Sequence, residues 1–258
     1  MEKIKSKTIV FITGAYVSNR CWDDWNRYFQ SQGYTAVAPA WPQKEGDPAA
    51  LRDRQPNMAL AAVDLSQVLN SYISVIKKLP EKPILIGHSF GGMITQVLLN
   101  KGYGAAGVAI HAVPPKGVFP YEINFLKSNT AALGFFSTIN TTYLMPFKTW
   151  QFAFTNGMSL AEQQTSYDQL TIPESRRAIR GALSNEAKVD FKKPQGPLLI
   201  LAGSEDQCIP PGLCERVYAR YNNTSVVDFK LKKRNHYVLG LPTWKEDADE
   251  ILQWITQH

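Results

Sequence analysis

The residues best suited to chemistry form one short run, Gly87-His88-Ser89-Phe90-Gly91-Gly92, preceded by the apolar stretch Ile84-Leu85-Ile86. The pattern is G-x-S-x-G, in which a serine occupies a sharp strand-to-helix turn and its Oγ projects over the end of the strand. Small residues on either side leave room for that turn, and the start of the following helix favours negative charge near the serine. With glycine and serine each at about 7% of residues, chance produces the pattern at about 0.09 per chain of this length. Its context must therefore carry the argument.

A serine hydroxyl becomes a nucleophile when a base takes its proton, and that base needs a carboxylate to hold its tautomer and offset its charge. The chain has four histidines. His88 lies inside the turn, His258 ends the sequence, and His111 falls in an apolar strand, where packing or a hydrogen bond accounts for it. His236 remains, in Arg234-Asn235-His236-Tyr237 after the last strand-like run. Asp206, in Gly203-Ser204-Glu205-Asp206 just past an apolar strand, is the leading carboxylate, with Glu205 its nearest rival. Asp228 is weaker, since it falls on the polar phase of an alternating strand and reads as a solvated residue. Attack on a carbonyl creates an oxyanion that needs backbone donors, one from the residue after the nucleophile and one from an early loop. These are Phe90 and, in Thr13-Gly14-Ala15-Tyr16, Ala15.

The elements that must position these residues alternate. Strands are expected at 8–13, 34–38, 83–87, 107–113, 197–203 and 225–231, and helices at 22–32, 57–78, from the serine turn to Gly102, from about Pro211, and at 243–256. The stretch 39–56, with four prolines, reads as a loop. Such alternation predicts a mostly parallel, doubly wound α/β sheet of about six strands, with function in the loops at the carboxyl ends of the strands. Between Val113 and Gly196 the alternation lapses for too long to be a structureless loop. The expectation is a core of residues 1–113 and 194–258 with a helical cap at 114–193. Ser159-Leu160-Ala161-Glu162 is a capping box and Pro173-Glu174 a second helix start.

Composition narrows the function classes. The 258 residues are 44% hydrophobic and 19% charged, which suits a packed globular domain. No apolar run reaches the roughly 18 residues of a membrane span, and the N-terminus lacks a signal-cleavage pattern, so a cytoplasmic protein without membrane insertion is expected. Cys21, Cys208 and Cys214 supply neither a disulfide framework nor metal-ligand spacing, and no metal or cofactor is expected. The net charge of +6 is dispersed, with Lys232-Lys233-Arg234 the longest basic run, which argues against nucleic acid as a partner.

Taken together these residues resemble the α/β-hydrolase fold superfamily over almost the whole chain outside the cap. Ser89 matches the nucleophile, Asp206 the acid and His236 the base, while Thr13-Gly14-Ala15 with Trp22 matches the oxyanion loop and its later tryptophan. Thr13 replaces the histidine usual in that loop, and with only seven residues before the first strand the antiparallel hairpin that opens the family's eight-stranded sheet is expected to be missing. The resemblance implies a lid at the position of the insertion. It also sets the chain apart from dehalogenases and epoxide hydrolases of the superfamily, which carry aspartate where Ser89 stands.

Tyr143, Met145, Phe147, Trp150, Phe152, Phe154 and Met158 crowd one part of the lid; they either form its own core or face an apolar pocket. The candidate pocket residues are Tyr16, His88, Met145, Trp150 and Phe154. Arg176, Arg177 and Arg180 read as a solvated helix face. The expected function is a serine hydrolase of carboxylic esters, working through an acyl-enzyme on a small apolar acyl substrate. Lyase, thioesterase, lactonase and amidase chemistry, or a small-molecule receptor on the same fold, are the alternatives.

Overall fold

The computed structural model describes residues 3–135, 137–193, 196–221 and 227–258. From the N-terminus, β1 (Thr8–Ile12) leads through a 3-10 turn into α1 (Asp23–Ser31) and β2 (Thr35–Val37). Then come α2 (Pro48–Asp53), α3 (Met58–Ala62), α4 (Leu65–Ile76), β3 (Ile84–His88), α5 (Phe90–Asn100) and β4 (Ala106–Ile110). The insertion carries α6 (Ile123–Leu133), β5 (Thr142–Tyr143), α7 (Phe147–Ala153), α8 (Leu160–Leu170), β6 (Glu174–Ser175) and α9 (Arg176–Arg180). The alternation resumes with β7 (Leu198–Gly203), α10 (Pro211–Arg220), β8 (Val227–Lys232) and α11 (Trp244–Gln257).

Six strands form one sheet in the order β2-β1-β3-β4-β7-β8, with every neighbouring pair parallel. Because side chains alternate along a strand, each strand feeds two cores. Ile9 and Phe11 of β1 join Ile84, Ile86, Leu199 and Leu201 beneath α1 and α11, whereas Val10, Ile12, Leu85 and Ile200 pack under α4, α5 and α10. Burial on both faces explains why β1, β3, β4 and β7 read as continuous apolar runs. The chain leaves β1 toward β2 and then returns to the other side of β1 as β3. A crevice opens at such a reversal, outside the carboxyl ends of the two strands. The loops after β1 and β3 meet there.

Several local expectations are corrected. The helix expected over 57–78 is broken: Val63 is extended, and Asp64 starts α4 with a capping box closed by Gln67. The stretch 39–56 contains α2, capped by Asp47 with Pro48 in its first turn. The capping box at Ser159 and Glu162 forms as expected. Pro173-Glu174 does not start a helix, because Glu174–Ser175 pairs antiparallel with Thr142–Tyr143 and the Ser175 side chain caps α9. The expected start of the last strand at Ser225 and the boundary at residue 194 lie outside the described residues. Among the described residues, no helix is long and apolar enough to cross a membrane.

Candidate active site

Ser89 joins β3 to α5 with φ 57° and ψ −120°, a left-handed backbone that costs an ordinary residue free energy. Two glycines make the turn feasible. A methyl group at Gly91 would overlap the Ile12 carbonyl of β1, and one at Gly87 would overlap the Gly91 carbonyl. The turn is anchored to the end of β4, where Ser89 N–H donates to the Ile110 carbonyl (2.9 Å) and the Ser89 carbonyl accepts from Val113 N–H (3.0 Å).

His236 follows β8, and its Nε2 lies 3.0 Å from Ser89 Oγ. Its Nδ1 lies 2.6 Å from Asp206 Oδ2, on the loop after β7. The other carboxylate oxygen, Oδ1, accepts from Cys208 N–H (2.8 Å) and Ile209 N–H (2.7 Å), so the carboxylate is held from both ends. The side chains of Asp206 and His236 are fully buried. Burial alone would raise the Asp206 carboxyl, but the charge and hydrogen bonds of the His236 and His111 imidazoles outweigh it and hold the group well below the usual carboxylate range. The histidine loop is pinned in turn: Asn235 Nδ2 donates to the Asn156 carbonyl (2.9 Å) and Tyr237 N–H to the Phe154 carbonyl (3.0 Å). The rival carboxylates are elsewhere. Glu205 points outward to Lys233, and Asp228 accepts from Trp254 Nε1 (2.5 Å) and faces His258, so it is partnered rather than simply solvated.

Phe90 is the first residue of α5, so its N–H has no carbonyl one turn earlier in the helix to receive it. Ala15, Ser89 and Phe90 share the wall of a cavity of about 410 Å³, the rest of which is overwhelmingly apolar. The loop after β1 is fixed by Thr13 N–H to Tyr72 Oη (3.2 Å), Trp41 Nε1 to the Thr13 carbonyl (3.1 Å) and Ile172 N–H to the Tyr16 carbonyl (2.8 Å). Tyr16 lines the same cavity, and its backbone too is left-handed, at φ 69°.

Four of the five expected pocket residues lie outside that cavity. Trp150 and Phe154 stack on each other at 4.4 Å, and Phe154 meets the His236 ring edge-on at 4.5 Å. With His88 they border a smaller cavity of about 140 Å³ on another side of His236. His88 Nε2 is hydrogen-bonded to the His236 carbonyl (3.0 Å). Met145 is fully buried and lines neither cavity. Trp150 and Phe154 thus pack behind the histidine, whereas Phe147 packs on Tyr167 and Tyr143 on Tyr16. The walls come instead from the chain just after β4 and from α6 and α9, through Val118, Phe125, Leu126, Leu133 and Ile179. Arg176 and Arg180 are not a solvated face either: they donate to the carbonyls of Ala131, Ala132 and Leu133 at the end of α6, where a helix attracts positive charge. Arg177 donates to Asn140 Oδ1.

Side-chain nitrogens of His88, His111 and His236 lie within 4.8 Å of one another, which is close enough to suggest a metal site. Their hydrogen bonds describe a different arrangement. Both nitrogens of His236 and one each of His111 and His88 are engaged by Ser89, Asp206 and the His236 carbonyl.

This fold and this site define a class. The chain belongs to the alpha/beta hydrolase family, whose sequence pattern matches residues 9–253. It is similar, at 25% identity and a TM-score of 0.71, to an extracellular alpha/beta-hydrolase from a Paenibacillus species, over 95% of this chain and 98% of that one. That protein is described as sharing structural and functional homology with tobacco salicylic acid binding protein 2. Polyneuridine aldehyde esterase matches at 16% identity and a TM-score of 0.69, over 96% and 99% of the two chains. Tomato methylketone synthase I bound to 2-tridecanone matches at 12% and 0.70, over 98% of each. These last two likenesses are of fold alone. No curated protein matches the sequence at a significant level.

Proposed function

We propose that the protein is a serine hydrolase that cleaves carboxylic esters of small, mainly apolar acids through an acyl-enzyme. One observation carries this reading: Ser89 Oγ is 3.0 Å from an imidazole whose other nitrogen is 2.6 Å from a buried carboxylate, beside an apolar cavity of about 410 Å³. In the proposed sequence His236 takes the Ser89 proton as Oγ attacks the ester carbon, and Asp206 holds the imidazole and offsets its charge. The N–H groups of Ala15 and Phe90 receive the oxyanion. Collapse expels the alcohol, protonated by His236, and leaves the acyl group on Ser89. Water, deprotonated by the same imidazole, then releases the acid.

The cavity favours an acyl chain without charge, since its walls are almost free of ionisable side chains and each buried CH₂ contributes about 0.8 kcal/mol. The resemblance to an extracellular hydrolase likened to a salicylic acid binding protein supports a second reading, a receptor that binds a small aromatic acid or ester and turns it over slowly. Turnover separates the two. Short-chain p-nitrophenyl esters should be hydrolysed by the wild-type protein and not by Ser89→Ala. Folded protein that binds such esters without hydrolysing them, at any pH between about 5 and 8, favours the receptor.

A further inference from the structure

The carboxylate that orients His236 has a second imidazole on the same oxygen. His111 Nδ1 lies 2.8 Å from Asp206 Oδ2, the atom that His236 Nδ1 contacts at 2.6 Å. Both imidazole side chains are almost completely buried. An ionised carboxylate is an acceptor only, so both nitrogens must carry hydrogen toward it, which fixes the Nδ1–H tautomer of each ring. The chain accepts two local costs to keep His111 there. Its backbone has φ 47°, outside the regions an L-residue ordinarily adopts. Its ring also occupies the space that any side chain at residue 203 would need, because a methyl group on Gly203 would overlap His111 Cε1.

We infer that His111 is a positioning residue that acts through Asp206: its Nδ1–H withdraws part of the carboxylate charge from His236 and so lowers the basicity of the imidazole that takes the Ser89 proton. The hydrogen bond also fixes Oδ2, while Cys208 and Ile209 N–H fix Oδ1, so the carboxylate cannot rotate away from His236. The other titratable groups around this carboxylate are His88, whose ring centroid is 4.7 Å from that of His236, and the buried thiols of Cys208 and Cys214. Burial pushes both thiols up, so they are neutral and do not compete for the carboxylate charge. Burial likewise pushes His88 well below the ordinary histidine range, and it is neutral.

The inference rests on the triad reading, and its test is chosen to stand apart from it. His111→Leu removes the donor; His111→Asn returns an amide N–H at the position of Nδ1 and tolerates the left-handed backbone. The low-field resonance of His236 Nδ1–H, assigned with His236→Ala, is titrated by NMR in all three folded proteins and needs no substrate. The expected result is a midpoint raised by about 0.5 to 1 pH unit in His111→Leu and returned toward the wild-type value in His111→Asn. Where esters are turned over, the acid limb of kcat/KM moves by the same amount. A midpoint that does not move in His111→Leu overturns the inference even if wild-type protein hydrolyses esters. A midpoint that moves in a protein without turnover upholds it and counts against the hydrolase reading alone. His111→Leu strains the backbone and loses stability, which a merely structural role would also produce; the midpoint and its return in His111→Asn would not follow from that.

Discussion

Lys44 Nζ lies 2.5 Å from Glu174 Oε2, and both side chains are buried almost completely. The pair joins the loop after β2 to the start of the inserted strand β6, and the same Glu174 oxygen accepts from Tyr16 N–H (3.2 Å) in the loop after β1. Lys44 also lies over the Trp41 ring, 4.2 Å from its centroid, and Trp41 packs on Phe90. A carboxylate so near the proposed oxyanion donors would oppose the developing negative charge if it were not neutralised.

Removing one partner of such a pair leaves a bare buried charge, which typically costs about 3–5 kcal/mol. Lys44→Met is therefore expected to lower the urea midpoint sharply and to reduce kcat. Lys44→Met combined with Glu174→Gln keeps an amide oxygen for Tyr16 N–H and recovers most of both losses. Urea denaturation and ester turnover of the three proteins check this; a double variant no better than the single one contradicts it.

Asp206→Asn leaves the shape of the site but favours the wrong imidazole tautomer. Turnover should fall by about 10⁴-fold, the loss seen when the orienting carboxylate of a serine protease becomes an amide. Glu205→Gln, at an outward-facing position, should leave turnover unchanged. The pair of variants, assayed on one p-nitrophenyl ester, tests the choice between adjacent carboxylates.

The cavity wall predicts chain-length preference. Each additional buried CH₂ is worth about 0.8 kcal/mol, so kcat/KM should rise roughly fourfold per carbon until the cavity is full. Leu133→Trp reduces the space beside α6 and should move the optimum to shorter chains while sparing acetyl esters. Trp150→Phe, behind the histidine, should not shift it. A p-nitrophenyl ester series read as kcat/KM decides the matter.

Stability should fall on mild acidification through His88. Burial and the neighbouring imidazoles of His236 and His111 hold it well below the ordinary histidine range, whereas the unfolded chain binds that proton near pH ~6.5. As pH falls below that value the unfolded state binds more protons, and the contribution declines by up to about 1.4 kcal/mol per pH unit until His88 itself protonates. Asp206, depressed in the folded state, is ionised in both states above about pH 5, and its contribution is lost only at lower pH. His88→Gln should therefore show a flatter stability curve between about pH 6.5 and 5. Equal slopes from urea melts of the two proteins contradict this.

The sequence carried the six strands, the turn at Ser89 and the loops that bear Asp206 and His236, because buried strands and tight glycine turns leave a local signature. What it did not carry are contacts between distant residues. Lys44 and Glu174 are 130 positions apart, and His111 and Asp206 are 95 apart. No local pattern marks either pair. The wall of the larger cavity is hidden in the sequence for a related reason. Aromatic density shows that a segment packs but not which face it packs against, so nothing local separates Trp150 and Phe154, beside His236, from Phe125, Leu133 and Ile179, which line that cavity.

In the proposed reaction His236 activates Ser89, and that activation can be read directly. Its most direct measurement is intact-mass analysis after exposure to a fluorophosphonate, followed by peptide mapping of wild-type protein and His236→Gln. A single adduct on Ser89 of the wild type is expected, with labelling slowed by orders of magnitude in the folded variant. A folded wild-type protein that stays unlabelled, or a variant labelled just as fast, contradicts it.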